Sequence, residues 1–87
     1  MIVIPSKYFE KQSSKLPKNV KLALAERLRL FIENSHNPLL NNHALHGSIR
    51  HYRSINITGD YRLVFELLDE GTVRLIDIDT HSSLYKN

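Results

Sequence analysis

Residues 48–79, SIRHYRSINITGDYRLVFELLDEGTVRLIDID, decide the fold of this chain. The segment divides into three runs rich in β-branched and aromatic residues, separated by turn residues at 59–60 and 69–71. Such runs favour β-strands, and turns this short join neighbouring strands in antiparallel order. The segment therefore predicts a three-stranded antiparallel meander, with strands over residues 48–57, 61–68 and 72–79.

Alternation along these strands separates an apolar face of the sheet from a polar face, provided that no bulge shifts the register. The large apolar side chains that share one face are Ile55, Ile57, Leu63, Phe65, Leu67, Ile76 and Ile78. The polar side chains of the other face are Ser54, Asn56, Arg62, Glu66, Asp77 and Asp79. His81 continues the same parity beyond the last strand. Because a solvated sheet face is normally polar, this pattern alone does not distinguish a catalytic surface from an ordinary one.

The residues before the meander predict a short strand and two amphipathic helices. Residues 1–4 are β-prone and fit an edge strand, and Ser6 can cap the helix that follows. Apolar side chains recur at helical spacing through residues 7–16, and again from Pro17 to about residue 36. The predicted fold class is α+β, in which an N-terminal edge strand and a two-helix hairpin pack on one face of an antiparallel sheet, in the order β-α-α-β-β-β.

The composition is that of a small globular protein. With 87 residues, of which 41% are hydrophobic and 24% charged, we expect one domain spanning residues 1–87. The sequence contains no cysteine, no basic leader and no apolar run of membrane-spanning length, so we expect a cytoplasmic protein that does not contact membranes. The net charge of +3 is compatible with a polyanionic partner.

The sequence contains five histidines: His36, His43, His46, His51 and His81. It lacks a glycine-rich phosphate loop, a nucleophile elbow and a thiol, which removes most nucleotide-binding and covalent-hydrolase functions. The spacing of His43, His46 and His51 could suggest a metal site, but no dedicated carboxylate accompanies it, so we expect neither a metal nor another cofactor. General acid–base catalysis, to which imidazole is suited near neutral pH, is the chemistry that remains.

Several short strings of the sequence occur together in a known order. They are the segment from Phe9-Glu10-Lys11 to Leu16-Pro17-Lys18, HALHG at 43–47, YR at 52–53, GDYRLVF at 59–65 and THSSLY at 80–85. In this combination they resemble the RelE/ParE toxin superfamily, and within it the YafQ-type ribonucleases. The resemblance covers nearly the whole chain and implies a RelE-like fold.

The resemblance also implies which residues form the site. His43, Asp60 and His81 would act at the scissile phosphate, with His81 as the general acid. Arg62 matches an arginine that stabilises the phosphate, a role suited to a planar and permanently charged guanidinium. Tyr85, which closes the terminal string, would bind substrate by stacking on a base.

Two positions depart from the YafQ pattern. Asn56 stands where that branch usually has another histidine, and Asp77 stands where it has an arginine. Asn56 can hydrogen-bond a phosphate or a ribose but cannot exchange a proton at neutral pH, so we expect it to bind substrate, as we do Arg53. We expect Asp77 to pair with Arg62 or Arg53.

The function implied by the resemblance is that of a toxin in a type II toxin–antitoxin system. It would be an endoribonuclease that cleaves mRNA on the ribosome, using the ribose 2′-hydroxyl as nucleophile, and an antitoxin encoded beside it would be its protein partner. One alternative is a ParE-like inhibitor of DNA gyrase with the same fold, which would not need His43 or His81. A second alternative, motivated by Asn56 and Asp77, is a protein-binding module that has lost catalysis.

Overall fold

The computed structural model of the protein describes residues 1–85. The helices are α1 (Lys7–Ser14), α2 (Lys18–Glu33) and α3 (His81–Leu84). The strands are β1 (Ile2–Pro5), β2 (His43–Ala44), β3 (Tyr52–Asn56), β4 (Tyr61–Asp69) and β5 (Thr72–Thr80). Short 3₁₀ turns cover Pro38–Leu40 and Gly47–Ile49. Within the described range, no helix is both long enough and apolar enough to cross a membrane.

The strands form one sheet in the order β1-β5-β4-β3-β2. Strands β3, β4 and β5 form the predicted antiparallel meander, and β1 lies at an edge of the sheet, as predicted. β1 runs parallel to β5, which makes the sheet mixed. β2 pairs with β3 at the other edge and was not predicted, because a strand of two residues carries no alternation of its own.

The two N-terminal helices follow the sequence signals closely. The Ser6 hydroxyl accepts a hydrogen bond from the Phe9 amide at 3.0 Å, which confirms the predicted N-cap of α1. α2 begins directly after Pro17. Both helices contribute buried side chains to a core on one side of the sheet, here called the helix-covered face; this core consists of Phe9, Leu24, Phe31, Leu40, Ile55, Ile57, Leu63, Phe65, Val73, Leu75 and Ile78.

A bulge in the β4–β5 pair changes the face on which Ile76 lies. Between the pairs Leu63–Ile78 and Phe65–Leu75, β4 contributes one residue and β5 contributes two. The extra residue shifts the alternation by one position, so Leu75 takes the core position and Ile76 points to the opposite side. The prediction that Ile76 shares a face with Ile78 is therefore wrong.

The face opposite α1 and α2, here called the open face, is less solvated than its polar pattern predicted. Ser54 and Val64 are buried there, with 0% and 5% of their surface exposed. The apolar residues that surround a cavity of about 130 Å³ on this face include Leu45, Ile49, Val64, Ile76, Leu84 and Tyr85. The segment before β3 and the C-terminal helix α3 therefore cover part of the open face.

The predicted first strand of the meander begins four residues later than expected. Residues 47–49 form a 3₁₀ turn, and β3 starts at Tyr52. Gly47 has a φ of 69°, a left-handed conformation that interrupts the extended chain and favours glycine. The turn brings Ile49 over the open face, where it lines the cavity described above.

Candidate active site

Asp60 and His81 meet at the end of the open face. His81 is the first residue of α3, and its backbone amide donates a hydrogen bond to the Asp60 carbonyl at 2.8 Å. Thr80 precedes it as the N-cap of α3, and its hydroxyl accepts a hydrogen bond from the Ser83 amide at 3.3 Å. Asp60, Thr80, His81 and Ser82 line a shared surface depression. Asp60 and His81 therefore border the same space.

The turn between β3 and β4 holds Asp60 and Arg62 in place. The Thr58 hydroxyl accepts hydrogen bonds from the amides of Asp60 at 3.3 Å and Tyr61 at 3.1 Å. The Arg62 Nη1 donates to the carbonyls of Thr58, Gly59 and Tyr61 at 2.9, 3.1 and 3.0 Å. Arg62 therefore places a positive charge on the turn that carries Asp60, and its Nε and Nη2 make no hydrogen bond with any residue from 1 to 85.

Tyr85 connects His81 to the histidine loop. The rings of His81 and Tyr85 meet edge to face, with centroids 4.7 Å apart and an interplanar angle of 68°. Tyr85 also lines a cavity of about 300 Å³ together with His43 and His46. Its hydroxyl is buried and has no hydrogen-bond partner within residues 1–85. Tyr85 is therefore the side chain shared by the two halves of the site.

His43 is placed on the open face by β2. It pairs with Ser54 across the β2–β3 ladder, and directly paired residues share a face of the sheet. The His43 Nδ1 lies 2.7 Å from the Asn41 carbonyl oxygen. Because a carbonyl can only accept, Nδ1 is the donor in this contact, and in the neutral form of the ring Nε2 is then the proton acceptor.

Asn56 and Asp77 also lie on the open face. Asn56 pairs with Arg62 across β3 and β4, and its Oδ1 is buried without a hydrogen-bond partner in the described chain. Asp77 accepts a hydrogen bond from the Ile78 amide at 2.8 Å. Burial raises the pKa of the Asp77 carboxyl above its ordinary value, the Ile78 amide opposes this, and the charge of Asp79 adds to it.

The expected ion pair of Asp77 with Arg62 or Arg53 is wrong. The salt bridges formed within residues 1–85 involve Arg29 and Arg74 as the cations. The Arg62 Nη1 is bonded to the β3–β4 turn instead, and Arg53 lies on the other side of the sheet. The Asp77 carboxylate is thus half-buried without a cationic partner in the part of the chain described.

Arg53 is not brought to this surface. It pairs with Phe65, a core residue, and therefore points to the helix-covered face. Its Nε donates to the Asn42 Oδ1 at 2.8 Å, and its side chain lines a cavity with Phe31 and Ser35. The alternation of β3 already contained this signal, because Arg53 has the parity of the buried Ile55.

Two features of the site were not identified from the sequence. His46, an exposed residue, lines the cavity of His43 and Tyr85. Leu84 lies beside Tyr85 in the apolar cavity of the open face, so α3 is held to the sheet by both residues. The signal for α3 was the Thr-His-Ser-Ser string, in which Thr80 is a good N-cap residue. Within residues 1–85, no three His, Asp or Glu side chains form a group that could hold a metal ion.

The arrangement combines proton-exchanging and cationic groups along one surface. The structure brings His43, Asp60, His81 and Tyr85 together through shared cavities and contacts, and places Asn56 and Arg62 on the adjoining strands. Imidazoles can exchange protons near neutral pH, and a guanidinium can stabilise an anion. This surface is therefore chemically suited to acid–base catalysis on an anionic substrate.

Comparison with known proteins defines the class of this chain. Residues 3–85 match the family model described as the ParE toxin of the type II toxin–antitoxin system parDE. The chain therefore belongs to the ParE toxin family, within the RelE/ParE superfamily that its sequence resembles. No curated protein sequence matches it.

Solved structures of toxins from this superfamily have the same fold. YafQ from E. coli strain BL21(DE3) is 22% identical, with a TM-score of 0.80 over 95% of this chain and 96% of that one. The chain matched in the E. coli DinJ-YafQ toxin–antitoxin complex is 23% identical, with a TM-score of 0.77 over 95% and 94%. A chain of the RelBE2 toxin–antitoxin complex from Mycobacterium tuberculosis is 26% identical, with a TM-score of 0.71 over 92% and 96%. These similarities confirm the predicted RelE-like α+β fold.

Proposed function

We propose that this type II toxin is an endoribonuclease that cleaves mRNA by acid–base catalysis, in the cytoplasm and on the ribosome. The observation that carries the proposal is the convergence of His43, Asp60, His81 and Tyr85 on the open face. The contacts that join them are the Asp60–His81 backbone hydrogen bond, the His81–Tyr85 ring contact and the cavity that Tyr85 shares with His43. This combination of groups can move protons without a covalent enzyme intermediate.

In the proposed reaction, RNA supplies its own nucleophile. His43 Nε2 accepts the proton of the ribose 2′-hydroxyl, whose oxygen then forms a bond to the adjacent phosphorus. The bond from phosphorus to the 5′ oxygen breaks, and His81 donates a proton to that leaving oxygen. The Nδ1 contact of His43 with the Asn41 carbonyl supports this assignment, because it leaves Nε2 free to act as the base. The products are a 2′,3′-cyclic phosphate and a free 5′-hydroxyl.

The remaining residues of the site stabilise charge and hold the substrate. Arg62 would contact the phosphate through its Nε or Nη2, because Nη1 is bonded to the turn carbonyls. Asn56 would hydrogen-bond the phosphate or the ribose, and substrate binding would give its buried Oδ1 a partner. Tyr85 would contact a base next to the scissile phosphate. Arg53 is left out of this proposal because it lies on the helix-covered face.

We also propose an antitoxin as the protein partner of this toxin. The solved structures that resemble it include toxin–antitoxin complexes from E. coli and Mycobacterium tuberculosis. The antitoxin would be encoded beside the toxin and would silence it by forming a complex.

The proposed activity is tested by inducing the wild-type chain and a His81→Ala variant in a bacterial host. mRNA 5′ ends are mapped while rates of translation and DNA synthesis are followed. We expect growth arrest with new mRNA ends, both lost in His81→Ala and both retained in His51→Ala, a matched control at an exposed histidine outside the site. Arrest with intact mRNA would contradict the proposal.

A gyrase inhibitor is the second candidate, and the match to the ParE family model favours it. It predicts arrest with failing DNA synthesis and intact mRNA, and His81→Ala would remain toxic. A chain that produces no arrest at all would instead be a protein-binding module without catalysis. The same induction experiment therefore separates all three functions.

A further inference from the structure

Arg53 lies on the opposite face of the sheet from the candidate active site, because it pairs with the core residue Phe65. It lines a cavity of about 210 Å³ on the helix-covered side, together with Leu67 and Gly71. Leu67 and Gly71 are near the end of β4, whereas Asp60 directly precedes its start. Since a strand rises roughly 3.3 Å per residue, Leu67 lies roughly 20 Å along β4 from Tyr61. Arg53 itself is next in the chain to Ser54, the strand partner of His43, so at this point the sheet itself separates the two sites. We call this space the Arg53 cavity.

The Arg53 cavity has an apolar floor and an exposed apolar rim. Phe31, Phe65 and Val73 line it, and 0%, 1% and 1% of their surfaces are exposed. Met1 and Leu67 line it too, yet 53% and 57% of their surfaces are exposed. Large exposed apolar side chains beside a concave apolar surface are typical of a protein-binding site.

The guanidinium in this cavity is held in position but has no anionic partner within residues 1–85. The Arg53 Nε donates to the Asn42 Oδ1 at 2.8 Å, and the Asn42 Nδ2 in turn donates to the Ser35 carbonyl at 2.8 Å. Glu70 lines the same cavity but forms no salt bridge with Arg53, and neither does any other residue from 1 to 85. A half-buried charge is stabilised by a paired carboxylate, and the fork of an arginine binds a carboxylate through two hydrogen bonds.

We propose that the Arg53 cavity binds a segment of the antitoxin in which an acidic residue lies next to a large apolar one. The carboxylate would bind the Nη atoms of Arg53, and the apolar side chain would pack on the floor formed by Phe31 and Phe65. This inference rests on the antitoxin partner proposed above. A protein segment fits better than a free small acid, because Met1 and Leu67 extend the apolar surface beyond the mouth of the cavity. The net charge of +3 favours an acidic partner further.

Titration calorimetry tests the inference with the protein encoded by the adjacent gene. The toxin carries His81→Ala, so that it can be produced without arrest. We expect Arg53→Gln to weaken the complex by at least about tenfold and to reduce its salt dependence, while Arg53→Lys, which keeps the charge but not the fork, weakens it less. Leu67→Ser should weaken it, whereas Leu22→Ser, at a 65% exposed leucine of α2 that does not line the cavity, should not. Thermal melts of each free variant show whether it is folded.

Other outcomes would contradict either the docking site or the antitoxin partner. If the adjacent protein binds and the Kd is unchanged by Arg53→Gln and Leu67→Ser, the cavity is not its docking site, and the proposed antitoxin partner stands. If the adjacent protein does not bind the toxin whose cavity is unchanged, the proposed antitoxin partner and this inference are both wrong. The proposed mRNA cleavage is tested separately by the induction experiment. 3-Phenylpropionate and its amide serve as small-molecule probes. If only the acid shifts the NMR signals of Arg53, and Arg53→Gln leaves the Kd for the adjacent protein unchanged, the cavity binds small acids instead.

Discussion

The two faces of the sheet bury side chains in different ways. On the helix-covered face the buried side chains are apolar and pack against one another, as in the edge-to-face pair of Phe31 and Phe65 with ring centroids 4.8 Å apart. On the open face, polar atoms without hydrogen-bond partners in residues 1–85 are buried among apolar side chains: Ser54 Oγ, Asn56 Oδ1 and Tyr85 OH. Unsatisfied buried polar atoms cost stability and are expected mainly where function requires them.

Because of this difference, we expect stability to depend mainly on the helix-covered face and activity to depend mainly on the open face. A substitution on the helix-covered face should lower the free energy of unfolding, because it removes packing. A substitution on the open face should change activity more than stability, and removing a costly polar or charged group there should even stabilise the protein. Four substitutions test this contrast, in order of decreasing expected effect.

The largest effect on stability is expected for Phe31→Ala. Phe31 is completely buried and packs on Phe65, so its truncation leaves a cavity and should lower the free energy of unfolding by about 3–5 kcal/mol. Urea denaturation followed by circular dichroism measures this change. Leu22→Ala on the same helix, at a 65% exposed position, should change it by less than about 0.5 kcal/mol. Equal losses in the two variants would mean that the core is not where the structure places it.

The elements that the sequence predicted well depend on local signals. The meander follows from two short turns, and α1 follows from Ser6 and the helical spacing of the residues after it. The bulge at Ile76 was missed although the sequence carries a sign of it, because the apolar alternation of β5 breaks where Leu75 and Ile76 stand side by side. α3 was missed as a helix because four residues are too few to show a helical period.

The site was predicted unevenly for the same reason. The resemblance named His43, Asp60 and His81, but only the unpredicted pairing of β2 with β3 shows that His43 lies on the open face. Arg53 was assigned to the site by its position in a matching string, although strand parity assigns it to the other face. The catalytic roles of the site residues stay predictions, which the next substitution tests.

The largest effect on activity beyond that of His81 is expected for His43→Ala. Without the proposed base, RNA cleavage by purified toxin should slow by roughly 10² to 10⁴-fold. The free energy of unfolding should change by less than about 1 kcal/mol, because the partly buried ring makes its side-chain hydrogen bond only to a neighbouring loop carbonyl. Single-turnover cleavage of an mRNA bound to purified ribosomes measures the rate. A rate within twofold of the wild type would remove His43 from the mechanism.

A smaller effect, of opposite sign, is expected for Asp77→Asn. Burial is the main cause that raises the pKa of the Asp77 carboxyl, and Asp79 contributes. The folded protein therefore holds this proton more tightly than the unfolded chain, so ionisation of Asp77 destabilises the fold as pH rises from the ordinary carboxyl pKa through the raised value.

Asp77→Asn keeps an acceptor for the Ile78 amide and removes the charge. It should therefore be more stable than the wild type at pH 7. The difference should shrink as the pH falls from the raised pKa towards the ordinary carboxyl value of about 4, and it should vanish at lower pH, where the wild-type carboxyl is protonated in both states. Urea denaturation across this pH range measures the difference. A difference that does not depend on pH would show that the charge of Asp77 is not what costs stability.

The smallest effect is expected for Ser54→Ala, which addresses the open face directly. The Ser54 hydroxyl is completely buried and has no hydrogen-bond partner within residues 1–85. The free-energy cost of removing it from water is therefore not offset by a hydrogen bond. Removing it should raise the free energy of unfolding by up to about 1 kcal/mol, because the loss of a few packing contacts offsets part of the gain. The matched substitution Ser13→Ala, at a hydroxyl that donates to the Glu10 carbonyl on α1, should give no such gain. If Ser54→Ala destabilises the protein instead, a bound water satisfies the hydroxyl, and the open face is packed as completely as the helix-covered one.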